Sequence, residues 1–289
     1  MIDTVGIRIP NSTKINIDNL TYTGNFKIYR NNKKRIDKSV ADYNYKNFHI
    51  EISNNENDKR PIFIYGSLQK LVDSQNYNEN SITDIRQEIK IFSDTLGVNL
   101  FSQKVLRVDV CQDFKVNDVD YFLENIFAVE KYYPRYYSKA GNTRYFEKWD
   151  SKKYLTVCFY NKSNESTIND NNILRHEIRL FQRFLMKINI KSLKDIFDCL
   201  DVLNCIRKDN MKEFKVTERK KFKLTGTKRD LVLLAREIGT EKILKQIKEE
   251  FNRKLISRRT QFNRKKVIRD NQDLIENQEY ESLKIINKS

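Results

Sequence analysis

The sequence is poor in the residues and patterns that mark membrane proteins, zinc proteins and histidine-metal enzymes. No apolar run approaches the ~18–20 residues of a membrane span, and the N-terminus lacks the pattern of a signal peptide. The four cysteines form no C-x-x-C pair, so no zinc site follows from them. The two histidines, His49 and His176, form no His-x-His pair. We therefore expect a cytoplasmic protein with reduced thiols, no membrane partner and no histidine-rich metal centre.

Acidic residues are also fewer than basic ones. The 289 residues contain 55 Lys and Arg against 39 Asp and Glu, and the formal net charge is +16 at pH 7. A balance this positive is most common in proteins that bind a polyanion. Nucleic acid is the first candidate for that partner.

The hydrophobic periodicity changes near residue 215. Before it, strands such as the one with Val5, Ile7 and Ile9 alternate with helices. This order predicts an α+β fold: a mostly antiparallel central sheet with helices on one side. Ser81 and Gly97 suit the start and end of one helix, and DVDYFLENIFAVEKY is predicted to be another. Only helical stripes follow residue 215, so we predict one domain at 1–215 and an all-α, basic, DNA-binding region at 216–289.

The C-terminal region carries +9 of the net charge, with 20 Lys and Arg against 11 Asp and Glu. Ser257 is a good N-cap for a helix over RRTQFNRKKVIRD, the second of two helices joined by a short turn. This arrangement is typical of a helix-turn-helix reader of DNA, and the alternative is a solvated basic face. A second basic stretch, Arg219–Arg229, suits phosphate contacts. The candidate DNA-binding residues are Arg258, Arg259, Gln261, Asn263, Arg264, Lys265 and Lys266.

Three predicted strands, VLRVDVCQDF, KYLTVCFYNK and ILRHEIRL, each combine an apolar face with a polar one, because residues two apart share a face. If the strands are neighbours, carboxylates from two of them would converge near Tyr160. The alternative is three amphipathic strands with solvated outer faces. His176 lies on an apolar face and is predicted to face the core. The polar faces hold Arg107, Asp109 and Asp113, then Tyr160 and Lys162, then Arg175 and Glu177.

Four segments, in order, resemble those of a known family. MIDTVGIRIP, LRVDVCQDF, YLTVCFYNKSNE and ILRHEIRLF are similar to segments of filamentous-phage replication initiators, the gene II protein family of rolling-circle nickases. The resemblance runs from Met1 to about Leu200. Plasmid initiators and conjugative relaxases that lack a paired-histidine motif are more distantly similar. Gly and Pro number only 7 and 3, so several turns of that family must be made here by Asn and Asp.

The resemblance implies a transesterification. Tyr160 matches the nucleophilic tyrosine, which attacks the scissile phosphorus, leaves a 5′-phosphotyrosine and a free 3′-hydroxyl primer, and later rejoins the strand. Lys162 and Arg175 match the cations that accompany it. Asp109 and Glu177 match carboxylates that would hold Mg²⁺ or Mn²⁺. The residues that remain open as a third metal ligand are Asp113, Glu51 and His49.

The resemblance also implies partners and a setting. The expected partners are double-stranded origin DNA, single-stranded DNA and a host helicase, in the cytoplasm of a bacterial host. Two other functions stay open at this point. One is a conjugative relaxase with the same chemistry, and the other is a non-catalytic, sequence-specific DNA-binding protein.

Overall fold

The computed structural model describes residues 1–30, 33–54, 60–73, 80–128, 132–136, 143–148, 154–165, 172–216, 224 and 226–276. Most of the predicted basic stretch Arg219–Arg229 and the end of the C-terminal region lie outside the described residues. In the part that is described, no helix has both the length and the apolar character of a membrane span. All four cysteines are thiols rather than disulfides.

The chain forms two compact units, residues 1–111 with 179–205 and residues 112–178 with 206–289. Two of the three boundaries fall within strands, and the third, between residues 205 and 206, falls within α6 (Leu200–Met211). The first cuts β6 (Lys104–Lys115) and the second cuts β11 (Ile173–Phe181). The domain boundary predicted at 215/216 stays a prediction.

The strands of the first unit are β1 (Ile2–Ile9), β2 (Thr21–Arg30), β3 (Lys33–Tyr45), β4 (Phe48–Ser53), β5 (Ile62–Ser67) and most of β6. They lie in the order β2-β3-β4-β5-β1-β6, and the pairs in this order are antiparallel. Ile7 of β1 lies opposite Ile64 of β5, and Val5 lies opposite Val108 of β6. The helices of this unit are α1 (Leu68–Val72), α2 (Ile82–Leu96), α4 (Gln182–Lys187), α5 (Leu193–Asp198) and the start of α6 (Leu200–Met211).

Helix α2 begins and ends at the capping residues that the sequence predicts. The Ser81 hydroxyl accepts a hydrogen bond from the Asp84 N–H at 3.1 Å, and Gly97 ends the helix in the left-handed conformation at φ 68°. Phe92 lies on the buried stripe of α2, and its ring stacks on Tyr45 with centroids 4.3 Å apart. The predicted cap and stop of this helix are therefore confirmed.

The second unit contains most of β11 and the elements α3 (Val119–Asn125), β7 (Ile126–Ala128), β8 (Tyr132–Tyr136), β9 (Thr143–Lys148), β10 (Leu155–Asn161), β12 (Phe214–Val216), α7 (Gly226–Ile238), α8 (Thr240–Asn252), α9 (Arg258–Asp270) and α10 (Gln272–Glu276). Four of its strands lie in the order β11-β10-β9-β8. Strands β7 and β12 form a separate antiparallel pair.

Helix α7 is tied to the strands of its own unit by buried charges. The Arg144 guanidinium of β9 lies 3.3 Å from the Asp230 carboxylate of α7, and Arg144 Nε donates to the Leu123 carbonyl at 2.6 Å. The other side of α7 packs with α8, α9 and α10 around a core that contains Val232, Ile243 and Ile268. The C-terminal helices therefore belong to the same compact unit as β9 and are joined to it through this ion pair.

The predicted fold class is confirmed: antiparallel strands with helices, followed by a helical C-terminal region. The prediction of one helix over DVDYFLENIFAVEKY was wrong in part. Helix α3 stops at Asn125, and Ile126–Ala128 pairs with Phe214–Val216, about 90 residues later along the chain. Pairing with this distant strand provides hydrogen-bond partners for the backbone of three buried residues. The local periodicity of the sequence does not reveal such a pairing.

Candidate active site

The hydroxyl of Tyr160 lies against a carboxylate. Tyr160 is partly buried near the end of β10, and its Oη donates a hydrogen bond to Oε2 of Glu177 in β11 at 3.0 Å. Cys158 is two residues earlier and so on the same strand face. Its Sγ donates to Oε1 of Glu177 at 3.5 Å. The structure therefore brings together Tyr160, the predicted nucleophile, and Glu177, a carboxylate predicted from a separate motif to hold a metal ion.

Arg175 is a fully buried cation with a carboxylate partner. It is 0% exposed, and its Nε and Nη2 donate to the two oxygens of Asp113 at 2.6 Å each. This two-point geometry is the strong form of an arginine–carboxylate pair, and it compensates for much of the cost of burying the charge. Arg175 was predicted to support catalysis. Its contact with Asp113 gives it a fixed orientation two residues from Glu177.

Lys162 follows Tyr160 by two residues and is 2% exposed. It begins a short 3₁₀ segment, Lys162–Glu165, directly after β10. This segment is fixed by hydrogen bonds through its side chains. Asn161 Oδ1 accepts from the Ser163 N–H, and the Ile173 N–H donates to Ser163 Oγ, each at 3.0 Å. These two hydrogen bonds connect Ser163, in the turn after the tyrosine, to Asn161 and Ile173. The role of Lys162 stays a prediction.

Asp109 belongs to the first unit, where it is buried in β6. Arg107, two residues earlier on the same face, donates from Nε to Oδ1 of Asp109 at 2.7 Å and from Nη2 to Oδ2. These two contacts with Arg107 set the orientation of the Asp109 carboxylate. Glu177 belongs to the second unit, so the pairing of Asp109 and Glu177 as metal ligands stays a prediction.

A ready set of metal ligands is not found among the described residues, where no three His, Cys, Asp or Glu side chains are placed to hold an ion. The oxygens of Glu177 accept from Tyr160 and Cys158, and those of Asp109 accept from Arg107. The carboxylates of Glu177 and Asp109 thus accept hydrogen bonds from protein side chains. Neither belongs to a three-ligand metal site among the described residues. Mg²⁺ or Mn²⁺ as the cofactor stays a prediction.

Two of the three residues left open as a third metal ligand, His49 and Glu51, lie in β4 of the first unit. His49 Nε2 is 3.4 Å from Oδ1 of Asp42 and 4.0 Å from Oε1 of Glu51. The hydroxyl of Tyr65 donates to the same Glu51 oxygen at 2.8 Å. Burial raises the pKa of Glu51, and the hydrogen bond from Tyr65 opposes that rise.

His176 faces the core, as predicted. Its ring lies against Phe159 with centroids 4.8 Å apart, and Nε2 is 3.0 Å from Oδ1 of Asn210. Complete burial lowers the pKa of His176 to about 4. The imidazole is therefore neutral at pH 7 and belongs to the packing of the second unit.

The candidate DNA-binding residues all lie on α9, whose predicted cap is confirmed. The Ser257 hydroxyl accepts from the Thr260 N–H at 3.1 Å. Arg264 is turned inward, and its Nη1 donates to Oε2 of the buried Glu250 of α8 at 2.5 Å. The sequence did not reveal this pair, because Glu250 reads as an ordinary surface residue of an amphipathic helix. The exposed members of the set are Arg258, Arg259, Asn263 and Lys266, and the partly buried ones are Gln261, Arg264 and Lys265.

Comparison with known proteins adds little to this geometry. No protein-family model matches the chain, and no curated protein matches it. Among solved structures, the chain is similar to a rolling circle replication initiator protein from Geobacillus stearothermophilus. The two are 16% identical, and the match covers 79% of this chain and 90% of that chain with a TM-score of 0.39. A TM-score this low carries no argument about fold or function.

Proposed function

We propose that the chain is a rolling-circle DNA replication initiator similar to the filamentous-phage gene II proteins. In this proposal it nicks one strand of origin DNA through a tyrosine ester and later rejoins the strand. The observation that carries the proposal is the hydrogen bond of 3.0 Å from Tyr160 Oη to Glu177 Oε2. A phenol is a weak nucleophile at neutral pH, and a positioned base is the usual means of activating it.

The reaction then follows from the two side chains. Tyr160 Oη attacks the scissile phosphorus and passes its proton to Glu177. The P–O3′ bond breaks as the tyrosine–phosphorus bond forms, and the released 3′ oxygen takes up a proton to become the primer hydroxyl. Negative charge grows on the phosphoryl oxygens during the attack, and Lys162 is the proposed cation that stabilises it. Arg175, paired with Asp113, is proposed to hold the strand that carries Glu177.

The C-terminal helices are proposed to bind the duplex. Arg258, Arg259, Asn263 and Lys266 are exposed on α9, where arginine and amide side chains suit base edges and lysines suit phosphates. Arg264 is proposed to hold α9 on α8 through Glu250 rather than to contact DNA. In the same proposal Gln261 and Lys265 act at the border of the contact.

A cleavage assay with the full chain tests the proposal. Supercoiled DNA carrying the origin is incubated with Mg²⁺ or Mn²⁺, with and without a chelator, and is then treated with protease. We expect relaxed circles with a free 3′-hydroxyl and a peptide on the 5′ end, and we expect Tyr160→Phe to give none. The chelator arm tests the predicted metal. Retention of nicking by Tyr160→Phe would contradict the proposal.

The assay also separates the other two functions. A conjugative relaxase would form the same tyrosine ester on the transfer origin of a conjugative element but would not support replication from the released 3′ end. A non-catalytic DNA-binding protein would bind the duplex and leave it uncut under every metal condition.

A further inference from the structure

Helix α9 presents one exposed face that is mainly cationic. Positions three, four and seven residues apart share a face of a helix, so the exposed residues form one surface. The opposite side of α9 is fixed to the rest of the unit by the buried Ile268 and by the Arg264–Glu250 ion pair. The orientation of the exposed face is therefore set by packing. That face consists of Arg258, Arg259, Phe262, Asn263, Lys266 and Arg269, with Asp270 at its end.

Phe262 lies in the middle of this cationic face and is 60% exposed. Arg258 and Arg259 precede it by four and three residues, and Lys266 follows it by four, so cations flank the ring on both sides. A phenylalanine this exposed adds little to the hydrophobic core, and exposing its ring to water is unfavourable. The ring therefore suits an apolar group on a polyanionic partner.

Duplex DNA offers one such group at the base edges. In the major groove the C5-methyl of thymine is the apolar feature, and phenylalanine is among the side chains that contact it. Of the flanking cations, Lys266 suits a phosphate beside the groove, and Arg258 and Arg259 suit the base edges next to it. Phe262 is the only aromatic residue of α9, whereas binding of single strands by stacking uses several aromatic residues along a groove.

We propose that Phe262 reads thymine in the major groove by packing its ring on the C5-methyl group. This inference rests on the proposed function, in which α9 binds duplex origin DNA. The basic and amide side chains of α9 cannot make this apolar contact, so Phe262 is a separate determinant of sequence specificity. Because a methyl contact is apolar, its contribution should depend only weakly on salt, unlike that of the flanking cations.

A methyl-deletion cycle tests the proposal on the full chain. All proteins carry Tyr160→Phe, so that cleavage does not alter the probe. The preferred duplex is selected from a random-sequence pool, and each thymine in turn is replaced by deoxyuridine, which lacks only the methyl group. We expect the protein with Phe262 to lose about fourfold in affinity at one or two adjacent positions, the value of one buried methyl group. With Phe262→Ala, thymine and uracil should bind equally at those positions.

The matched control is Met186→Ala, which removes another exposed apolar side chain, 53% exposed, from the first unit. It should show the same thymine preference as the protein with Phe262. An unchanged thymine preference in Phe262→Ala would overturn the proposal, as would a loss of affinity that does not depend on the methyl group, or the selection of no preferred duplex. Formation of the tyrosine ester is measured separately, so failure of this inference and failure of the nicking proposal give different results.

Discussion

The strand region around Tyr160 and the helical region around α9 treat charge in opposite ways. The strands bury charged side chains in pairs, such as Arg175 with Asp113, whereas α9 leaves most of its cations in water. A buried charge must keep its partner, because an unpaired one costs several kcal/mol, while an exposed charge contributes through long-range attraction. Substitutions should therefore act strongly and locally in the strand region, and more weakly on α9.

The largest effect is expected from Glu177→Gln. Glutamine keeps the size of the side chain but cannot take the proton of Tyr160, so covalent attachment should slow by roughly 10²–10⁴-fold, the usual contribution of a general base. The single-turnover rate of tyrosine–DNA formation measures this. The matched change Glu241→Gln, on the exposed side of α8, should leave the rate as it is. A Glu177→Gln rate equal to that of the unchanged protein would remove Glu177 from the mechanism.

The next effect concerns stability. Asp113→Ala leaves the fully buried Arg175 without this carboxylate, which should lower the free energy of unfolding by about 3–5 kcal/mol. Urea unfolding measures it. The control is Asp209→Ala, whose partner Lys212 is 2.9 Å away with both side chains more than 70% exposed, and which should cost less than about 1 kcal/mol. Equal losses for the two variants would show that the Arg175–Asp113 pair is no more important than a surface pair.

One buried group in each region should change the free energy of unfolding in opposite directions as the pH rises. Burial lowers the pKa of His176 from 6.5 to about 4 in the strand region, and burial raises that of Glu250 from 4.5 to about 7 in the helical region, against the effect of Arg264. Between pH 4.5 and 6.5 the unfolded chain binds more protons at His176, and the folded chain binds more at Glu250. The histidine thus makes stability rise with pH, and the glutamate makes it fall, each by up to about 3 kcal/mol.

Two variants separate these slopes. His176→Phe should remove the rising contribution, so its stability should fall with pH relative to the unchanged protein. Glu250→Gln should remove the falling contribution, so its stability should rise with pH. Urea unfolding at several values between pH 4.5 and 7 measures both. Parallel stability curves for all three proteins would contradict the assigned pKa shifts.

The smallest effects are expected on the exposed face of α9. Arg258→Ala or Arg259→Ala should weaken binding to origin duplex by about 1–3 kcal/mol and to random duplex by less, if the contact is a base edge. Lys266→Ala should weaken both equally and reduce the salt dependence. Affinities for both duplexes across a salt series decide this. Equal losses for both duplexes in the arginine variants would make α9 an electrostatic contact without sequence preference.

Local signals in the sequence predicted local structure well. Ser81, Gly97 and Ser257 were identified as caps because a cap is a contact between residues a few positions apart. The strands that carry Tyr160 and Glu177 were also predicted, since alternation is visible within each segment. The polar faces of these strands were harder to judge, because Arg175 and Glu177 are buried rather than solvated and their partners come from elsewhere in the chain.

Contacts between distant residues were beyond prediction. The pairing of β7 with β12 and the Arg144–Asp230 ion pair join segments about 90 residues apart, and no periodicity records them. These long-range contacts also determine which variants are suitable for comparing the two regions. A chain cut at residue 215 would leave Arg144 without Asp230 and remove α7 from the strands that it packs on. The two regions are therefore better compared by substitutions in the full chain.

The central claim is that Tyr160 is the nucleophile, and mapping the covalent link tests it most directly. The full chain is incubated with origin DNA, the DNA is digested to a short 5′-phosphate remnant, and the modified peptide is sequenced by mass spectrometry. We expect the remnant on Tyr160 and no modified peptide from Tyr160→Phe. A remnant on Tyr145 or Tyr154, or one that persists in Tyr160→Phe, would contradict it.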